Sequence, residues 1–249
     1  APSADAPAPV KAPVREASIA VLPFANLSED KAQAHFADGI TEDITTDLSK
    51  VKGLYVTSRS ATLRYRNGGH DLKIVAANLG VRHILAGSVR RAGTKIRVTA
   101  TLIDAQTGGQ LWAERFDRGA QDIFVIQDEI AGRVVTQLSA ALKGVLEPPA
   151  KRLHTPKIEA YDLYIQGRAK RIPPTPPNLK AALADFEKAI EIDPKFAGGY
   201  AGASFARALI SAARGGDTGT PDAPLDRALT PAPDAVKPDT PCGPARVST

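Results

Sequence analysis

Alternating apolar and polar residues predict a β-meander in the middle of the chain. In the segment 94–104 one face of the strand is apolar and is formed by Ile96, Val98, Ala100 and Leu102. The intervening residues are polar or charged: Lys95, Arg97, Thr99 and Thr101. Similar strands at 81–90 and 110–116 flank it, joined by turns that contain glycine. This pattern indicates an antiparallel sheet with one solvated face.

Apolar residues at helical spacing predict three helices around that sheet. The first helix carries an i+4 stripe of Phe36, Ile40, Ile44 and Leu48, and the last carries Ile123, Ile126, Ile130, Val134, Leu138 and Leu142. Asp71 is expected to cap the short middle helix, which Gly80 ends. With strands beginning at Ser18 and Leu54, the order is β-α-β-α-β-β-β-α. We predict an α+β fold, an α/β sandwich with an antiparallel meander, over residues 18–147.

A second, purely helical region is predicted at 157–213. Asn178 is expected to cap its second helix. Asp193 and Pro194 are expected to end that helix, because a residue before proline disfavours the αR conformation.

The two ends of the chain are predicted to lack stable structure. Residues 1–17 are rich in Ala and Pro, which predicts a disordered tether, and we expect the chain to be a processed product or a piece of a longer protein. Residues 214–249 are repeatedly interrupted by proline, which predicts weak order or a degenerate repeat.

The helical region resembles a tetratricopeptide repeat (TPR) in its small and aromatic residues. The matching positions are Gly167, Ala182, Phe186, Ala189, Pro194 and Tyr200. The resemblance implies a surface that binds another polypeptide, so we expect a protein partner on these helices. One and a half repeats cannot bury a solenoid core alone. The helices are therefore expected either to lean on the α/β domain or to belong to a longer array.

Composition restricts the chemistry that we expect. The net charge is +5 and the charges are scattered, which argues against a nucleic-acid interface. The single cysteine, Cys242, excludes an internal disulfide and a multi-cysteine metal site. No histidine spacing, nucleophile elbow or P-loop is found, so we expect no cofactor, no metal and no catalytic residue. No apolar run is long enough to span a membrane, and the oligomeric state is left open.

Four polar residues are candidate contacts for a small ligand on the α/β domain. Asn26 lies in a polar loop, and Asp38 lies in the opening turns of the first helix, where free N–H groups attract ligands. Ser58 and Arg59 follow the second strand, at the end of the sheet where α/β folds place ligands. The alternatives are a capping and turn role for Asp38 and its neighbour Gly39, and local hydrogen bonds for Ser58 and Arg59.

Basic residues cluster around the predicted hairpin. Arg90, Arg91, Lys95 and Arg97 are close in sequence and are candidate contacts for an acidic partner. The alternative is a solvated sheet face whose charges discourage pairing between sheet edges.

Residues 18–142 resemble the TolB-like (FlgO-like) amino-terminal domain. The matching segments, in order, are IAVLPFANLSED, FADGITEDITTDLSKV, LYVTSRSATLRY, LGVRHILAGSVRRAGTKIRVTATLIDAQTG, LWAERFD and FVIQDEIAGRVV. In many bacterial proteins such a domain precedes TPR repeats. The arrangement is similar to the carboxy-terminal half of bacterial class III adenylate cyclases and related transcriptional regulators.

The resemblance implies a regulatory, sensory or protein-binding module that is not itself an enzyme, because no segment matches the metal-binding Asp residues of a cyclase domain. Two alternatives stay open: an enzyme, either linked to cyclic-nucleotide synthesis or a hydrolase, and a structural envelope protein of the FlgO-like type. We expect the module on the periplasmic side of a membrane-tethered protein.

Overall fold

The computed structural model describes residues 15–30, 33–66, 68–144, 146–150 and 152–213. Within this part of the chain six strands form one mixed sheet: β1 (Arg15–Val21), β2 (Ala25–Asn26), β3 (Tyr55–Val56), β4 (Val81–Ala92), β5 (Lys95–Asp104) and β6 (Gly109–Gly119). The strand order is β3-β1-β4-β5-β6, and β2 pairs with β4 outside this path. Strands β1, β2 and β3 make only parallel pairs, whereas β4, β5 and β6 form an antiparallel meander.

Four helices accompany the sheet: α1 (Ala34–Ser49), α2 (Arg59–Thr62), α3 (Leu72–Leu79) and α4 (Ile123–Leu142). A 3-10 turn at Leu63–Tyr65 follows α2, and another at Ala120–Asp122 precedes α4. We call the sheet with these four helices the body. Asp71 caps α3 by accepting a hydrogen bond from the backbone N–H of Lys73, and Gly80 ends α3 at a φ of 65°. Both local signals therefore act as the sequence predicts.

Two cores lie on opposite faces of the sheet. The larger core packs α1 and α4 against the apolar face of the meander, and its fully buried members include Ile40, Val98 and Ile130. A smaller core, which includes Ile84 and Val75, lies between β4 and α3. Burying each large aliphatic side chain contributes about 1.5–3 kcal/mol, so the larger core dominates the stability of the body.

Three further helices follow the body: α5 (Ile158–Lys170), α6 (Pro176–Ile192) and α7 (Ala197–Ala213). We call them the helical segment. Helix α5 packs on α6, and α6 packs on α7. The residues of α5 that face the body join the larger core, because Ala160, Tyr161 and Ile165 are buried within it. Of the two arrangements predicted for these helices, the structure has the one in which they lean on the body.

The predicted fold class is confirmed as α+β, and the antiparallel meander is present. Strand β1 begins at Arg15, earlier than the predicted start at Ser18. The short elements β2 and α2 were not predicted, because two- and four-residue elements carry no periodicity. The division into four regions stays a prediction. Most of the predicted tether and all of the tail at 214–249 lie outside the described residues.

The predicted cap of α6 is wrong. Thr175, not Asn178, occupies the N-cap position, and its side chain accepts a hydrogen bond from the backbone N–H of Asn178. Pro176 and Pro177 occupy the first positions of the helix, where their missing N–H groups cost nothing. Asn178 instead donates its side-chain amide to the carbonyl of Pro173, 2.9 Å away.

Candidate functional site at the junction of the body and the helical segment

Helix α5 packs against α1 at Gly39. A Cβ atom added at Gly39 would lie 1.7 Å from Cδ1 of Ile165, so the Ile165 side chain would have to move. Glycine allows the two helices to pack here without that shift. Gly39 and Asp38 lie inside α1, so the predicted capping and turn role for this pair is wrong. The glycine permits helix packing instead.

A hydrogen-bonded carboxylate lies beside this contact. The hydroxyl of Tyr161 on α5 donates to Oδ2 of Asp43 on α1 at 2.5 Å. Gln127 on α4 donates its side-chain amide to the same oxygen at 3.1 Å. Burial raises the pKa of Asp43 to about 6, although these hydrogen bonds and the nearby Arg152 favour the charged form. Burial, together with the charge of Asp43, also raises the pKa of Tyr161 well above its usual value.

The segment between α4 and α5 is held by Arg152. Its guanidinium donates to Asp47 of α1 at 2.7 Å and to Asp128 of α4 at 2.8 Å. It also donates to the side-chain carbonyl of Gln127 at 2.9 Å, which leaves the amide nitrogen of Gln127 free to reach Asp43. We call the joint formed by Asp43, Gln127, Arg152, Tyr161 and Arg168 the polar seam.

A second ion pair joins the β4–β5 hairpin to α5. Arg91 donates both terminal nitrogens to Asp162, at 2.7 and 2.8 Å, in the bidentate geometry that suits a carboxylate. The same guanidinium lies over the ring of Phe36, 4.8 Å from its centre. A cleft of about 840 Å³ opens here, and Arg90 lines its wall.

A smaller pocket of about 310 Å³ lies between α1, α2 and α5. We call it the arginine pocket and define it by six charged residues: Asp38, Glu42, Arg59, Arg66, Arg168 and Arg171. Arg66 pairs with Asp38 at 2.7 Å, and Arg168 contacts Glu42 directly. Burial, reinforced by the charge of Arg171, lowers the pKa of Arg168 to about 10. Positive charge is therefore crowded in this pocket.

The far end of the helical segment is fastened by Asp193. Its carboxylate accepts hydrogen bonds from Nε2 of His154 at 2.8 Å and from the backbone N–H groups of Lys157 and Lys195 at 3.0 and 3.2 Å. Burial acts to raise the pKa of Asp193, but these hydrogen bonds outweigh it and the net shift is downward. The carboxylate thus holds the chain before α5 against the end of α6.

The structure brings together only two of the predicted ligand contacts. Asp38 and Arg59 meet in the arginine pocket at 3.8 Å. The side chain of Asn26 accepts from the backbone N–H of Ser28 in a local turn. Ser58 precedes α2 and contacts the hydroxyl of Ser60 at 3.1 Å.

The predicted basic hairpin residues Arg90 and Arg97 bond to different partners but line one cleft. Arg90 donates to the carbonyl of Leu27, whereas Arg97 pairs with Asp117 on the solvated face of the meander. Both residues line a shallow cleft of about 900 Å³ along the hairpin. Asp43 and Arg168, which sequence reasoning did not single out, belong to the junction. Their partners are distant in sequence, so no spacing could have revealed them.

The residues of the TPR resemblance lie between the three helices. Ala182, Phe186 and Ala189 are buried on α6. A Cβ atom added at Gly167 would lie 2.8 Å from the ring of Phe186, so α5 and α6 need a glycine here. Pro194 follows α6, and Tyr200 is half-buried on α7.

Two features are absent from the described ranges of the chain. None of their helices is both long and apolar enough to cross a membrane. Over the same ranges, no three or more side chains of the His, Cys, Asp or Glu types are grouped so that they could hold a metal ion.

Comparison with known proteins gives a family match and a long relative. The family described as "HilA/YgeH-like transcriptional regulator, second domain" matches residues 15–133. "Putative adenylate cyclase 3" of Rhizobium meliloti (strain 1021) is 43% identical over 222 residues, which cover 89% of this chain. The aligned part is 38% of that relative, so the chain spans well under half of its length.

Solved structures that are similar to part of the chain include TolB and a lipoprotein. TolB from Acinetobacter baumannii is 20% identical with a TM-score of 0.40, over 53% of this chain and 30% of TolB. Lipoprotein GNA1162 from Neisseria meningitidis is 23% identical with a TM-score of 0.36, over 41% of this chain and 80% of the lipoprotein. The chain is thus similar to a regulator domain and to part of a protein named as a cyclase.

Proposed function

We propose that this chain is a regulatory module without catalytic activity, which binds a protein through its helical segment and transmits that binding to the body. The observation that carries this proposal is the junction itself. Helix α5 is buried between the body and α6, so a partner on the outer helices would act on an element that is bonded to α1 and α4. We also propose that α5, α6 and α7 are TPR helices.

An exposed apolar patch on the helical segment suits a protein partner. Ile172, just after α5, is 67% exposed, and Phe205 on α7 is 48% exposed. Arg171 lies over the ring of Phe205, 4.7 Å from its centre. Aromatic, aliphatic and arginine side chains are the groups that contribute most to protein interfaces. We infer that the partner presents an apolar segment to this patch.

Photo-crosslinking tests the partner surface. A photoreactive amino acid at Phe205, introduced in the cell that makes the protein, should give a discrete adduct of higher mass. The matched control is Ile74 on α3, which is 60% exposed but belongs to the body. Absence of an adduct at Phe205, or the same adducts from both positions, would contradict binding through the helical segment.

We propose further that the module belongs to a signalling protein related to adenylate cyclases. The 43% identity to the Rhizobium protein supports this proposal. Incubation of the purified chain with ATP and a divalent cation should yield no cyclic AMP. Cyclic AMP formation that scales with the amount of this chain would instead support an enzyme.

We propose the periplasmic side of a membrane-tethered protein as the location, because residues 1–14, which precede β1, have the composition of an extended tether. A reagent that modifies lysines but does not cross the inner membrane tests this location. It should label the protein in cells with a permeabilised outer membrane. Labelling only after the inner membrane is lysed would place the module in the cytoplasm.

A further inference from the structure

Two of the arginines that line the arginine pocket form no hydrogen bond to a carboxylate of the described residues. Arg59, on α2, reaches Glu42 only at 3.3 Å and Asp38 only at 3.8 Å, and neither contact is a hydrogen bond. Arg171, just after α5, forms no ion pair with any residue that the structure describes, and its one contact of note is with the ring of Phe205. The other two guanidiniums are engaged, because Arg66 bonds to Asp38 and Arg168 bonds to Glu42.

The charges of the pocket do not cancel. Four arginines and two acidic residues line the pocket of about 310 Å³, so these six residues carry a net charge of two positive. Asp43 is not among the residues that line the pocket, but its carboxylate lies 3.7 Å from the guanidinium of Arg168. If Asp43 is counted, one positive charge is left. Its carboxylate is already engaged by Tyr161 and Gln127. Like charges repel when they are partly removed from water, so an anion between them would be favourable.

The geometry selects the class of anion. Each guanidinium presents a planar fork of N–H donors that matches the oxygens of a phosphate or a carboxylate. The guanidinium groups of Arg59 and Arg171 belong to different elements, and neither is hydrogen-bonded to a carboxylate of the described residues. Together they favour a ligand group with several oxygens and a double negative charge. A pocket of this volume is at the lower end of ligand-binding cavities and leaves room for a small organic portion.

We infer that the arginine pocket binds a phosphomonoester of a small molecule, with Arg59 and Arg171 as its principal ligands. Because these residues belong to the body and to the end of α5, the bound phosphate would join the two across the junction. This inference shares Arg171 with the proposed partner surface, but it requires neither a bound partner nor the TPR assignment. A phosphate site can exist whether or not a protein binds α7.

Calorimetric titration of the full chain at constant ionic strength tests the inference. The probes are inorganic phosphate, glycerol phosphate as a simple phosphomonoester, and chloride as the reference anion. We expect saturable binding of both phosphates, with the ester tighter than inorganic phosphate, and no saturable signal with chloride. Equal binding of the two phosphates would contradict the ester as the ligand, and no saturable phosphate binding would overturn the site itself.

Variants locate the binding. Arg59→Gln and Arg171→Gln should each weaken phosphate binding about tenfold, since a charge-assisted hydrogen bond is removed. Arg59→Lys keeps the charge but loses the fork, so we expect a smaller loss. The control is Arg115→Gln, because Arg115 is 65% exposed on the meander, pairs with Asp117 and does not line the arginine pocket. The affinity of the Arg115→Gln variant for phosphate should equal that of the wild type. An Arg115→Gln variant that loses as much affinity as the pocket variants would show non-specific charge attraction and overturn the proposal.

Discussion

Helix α5 has two very different neighbours. Against α6 it presents Gly167, and the centre of the contact is apolar and dry, formed by Ala182 and the fully buried ring of Phe186. An ion pair between Lys170 of α5 and Asp185 of α6 lies at the end of this contact. Against α1 and α4 it presents Tyr161 and Arg168, which take part in hydrogen bonds and ion pairs. The apolar centre of the α6 side responds little to solution conditions, whereas the many charged contacts of the other side respond to pH, salt and ligands.

The difference indicates how the module works. The dry contact fixes the helical segment as one unit, and we propose that the polar seam makes the position of that unit on the body adjustable. Replacing one partner of a buried charged contact is costly, but the net stabilisation from the pair is small. A junction of this kind can be shifted by a binding event of modest energy, which suits a module that transmits binding.

The dry contact is broken most severely by Phe186→Ala. Truncation of a fully buried phenylalanine costs about 3–5 kcal/mol, because it leaves a cavity. On heating, we expect part of the helical circular dichroism signal of this variant to be lost at a lower temperature than in the wild type. The fluorescence of Trp112, the single tryptophan, reports the body and should keep its transition. The control Phe205→Ala, at a half-exposed position, should change little. A shift of both signals by the same amount would contradict an independent dry unit.

The approach of α5 to α1 is broken by Gly39→Val. The added side chain collides with Ile165, and overpacking of this kind costs about 1–3 kcal/mol. Adding Ile165→Ala should recover part of the loss, as expected for two residues in contact. The matched control is Gly132→Val on α4, where no atom lies within 4 Å of an added Cβ. Urea denaturation measures all of these variants, and equal losses at Gly39 and Gly132 would rule out the collision as the cause.

The pH response of the polar seam is tested by Asp43→Asn. The pKa of Asp43 is about 6 in the folded chain against 3.8 in the unfolded chain, so the folded state binds a proton more tightly. The contribution of Asp43 to the free energy of unfolding therefore increases by about 2 kcal/mol as the pH falls from 6 to 3.8. Asparagine cannot titrate, so the variant should lose this gain.

The difference between the two stability curves isolates Asp43 from other carboxylates such as Asp193, whose lowered pKa acts in the opposite direction. We expect Asp43→Asn to be more stable relative to the wild type at pH 8 than at pH 4.5. Parallel curves across this range would show that burial does not raise the pKa of Asp43.

The smallest effect is expected from Arg91→Gln. The side chains of Arg91 and Asp162 are 17% and 27% exposed, so their ion pair is only partly screened by water. We expect a loss of about 1 kcal/mol at low salt and less at high salt. Arg115→Gln should have no measurable effect at either salt concentration. Thermal denaturation checks both, and a loss that does not depend on salt would point to the packing of Arg91 on Phe36 instead.

Much of the body could be predicted from the chain because its signals are local. The alternation from Lys95 to Leu102 and the Asp71 and Gly80 caps each depend on neighbouring residues, and each has the expected structure. Thr175 was missed as a cap because Asn178 is an equally good capping residue and lies only three positions further on.

The junction could not be predicted in the same way. Asp43 and Tyr161 are separated by 118 positions, and neither residue has an unusual neighbour in sequence. Gly39 was recognised but misread, because a glycine inside a helix has the same sequence signature whether it ends a turn or admits another helix. Arg59 was singled out from its place after a strand, whereas Arg171 gave no signal before the fold brought the two to one pocket.

Hydrogen exchange followed by mass spectrometry tests most directly whether the polar side of α5 holds the helical segment on the body. We expect Gly39→Val to speed exchange in peptides of Ile158–Lys170 while the meander strands β4 and β5 keep their protection. Gly132→Val should leave the α5 peptides unchanged. If α5 in a folded Gly39→Val variant exchanges as slowly as in the wild type, the junction does not hold α5 and the proposed route of transmission is wrong.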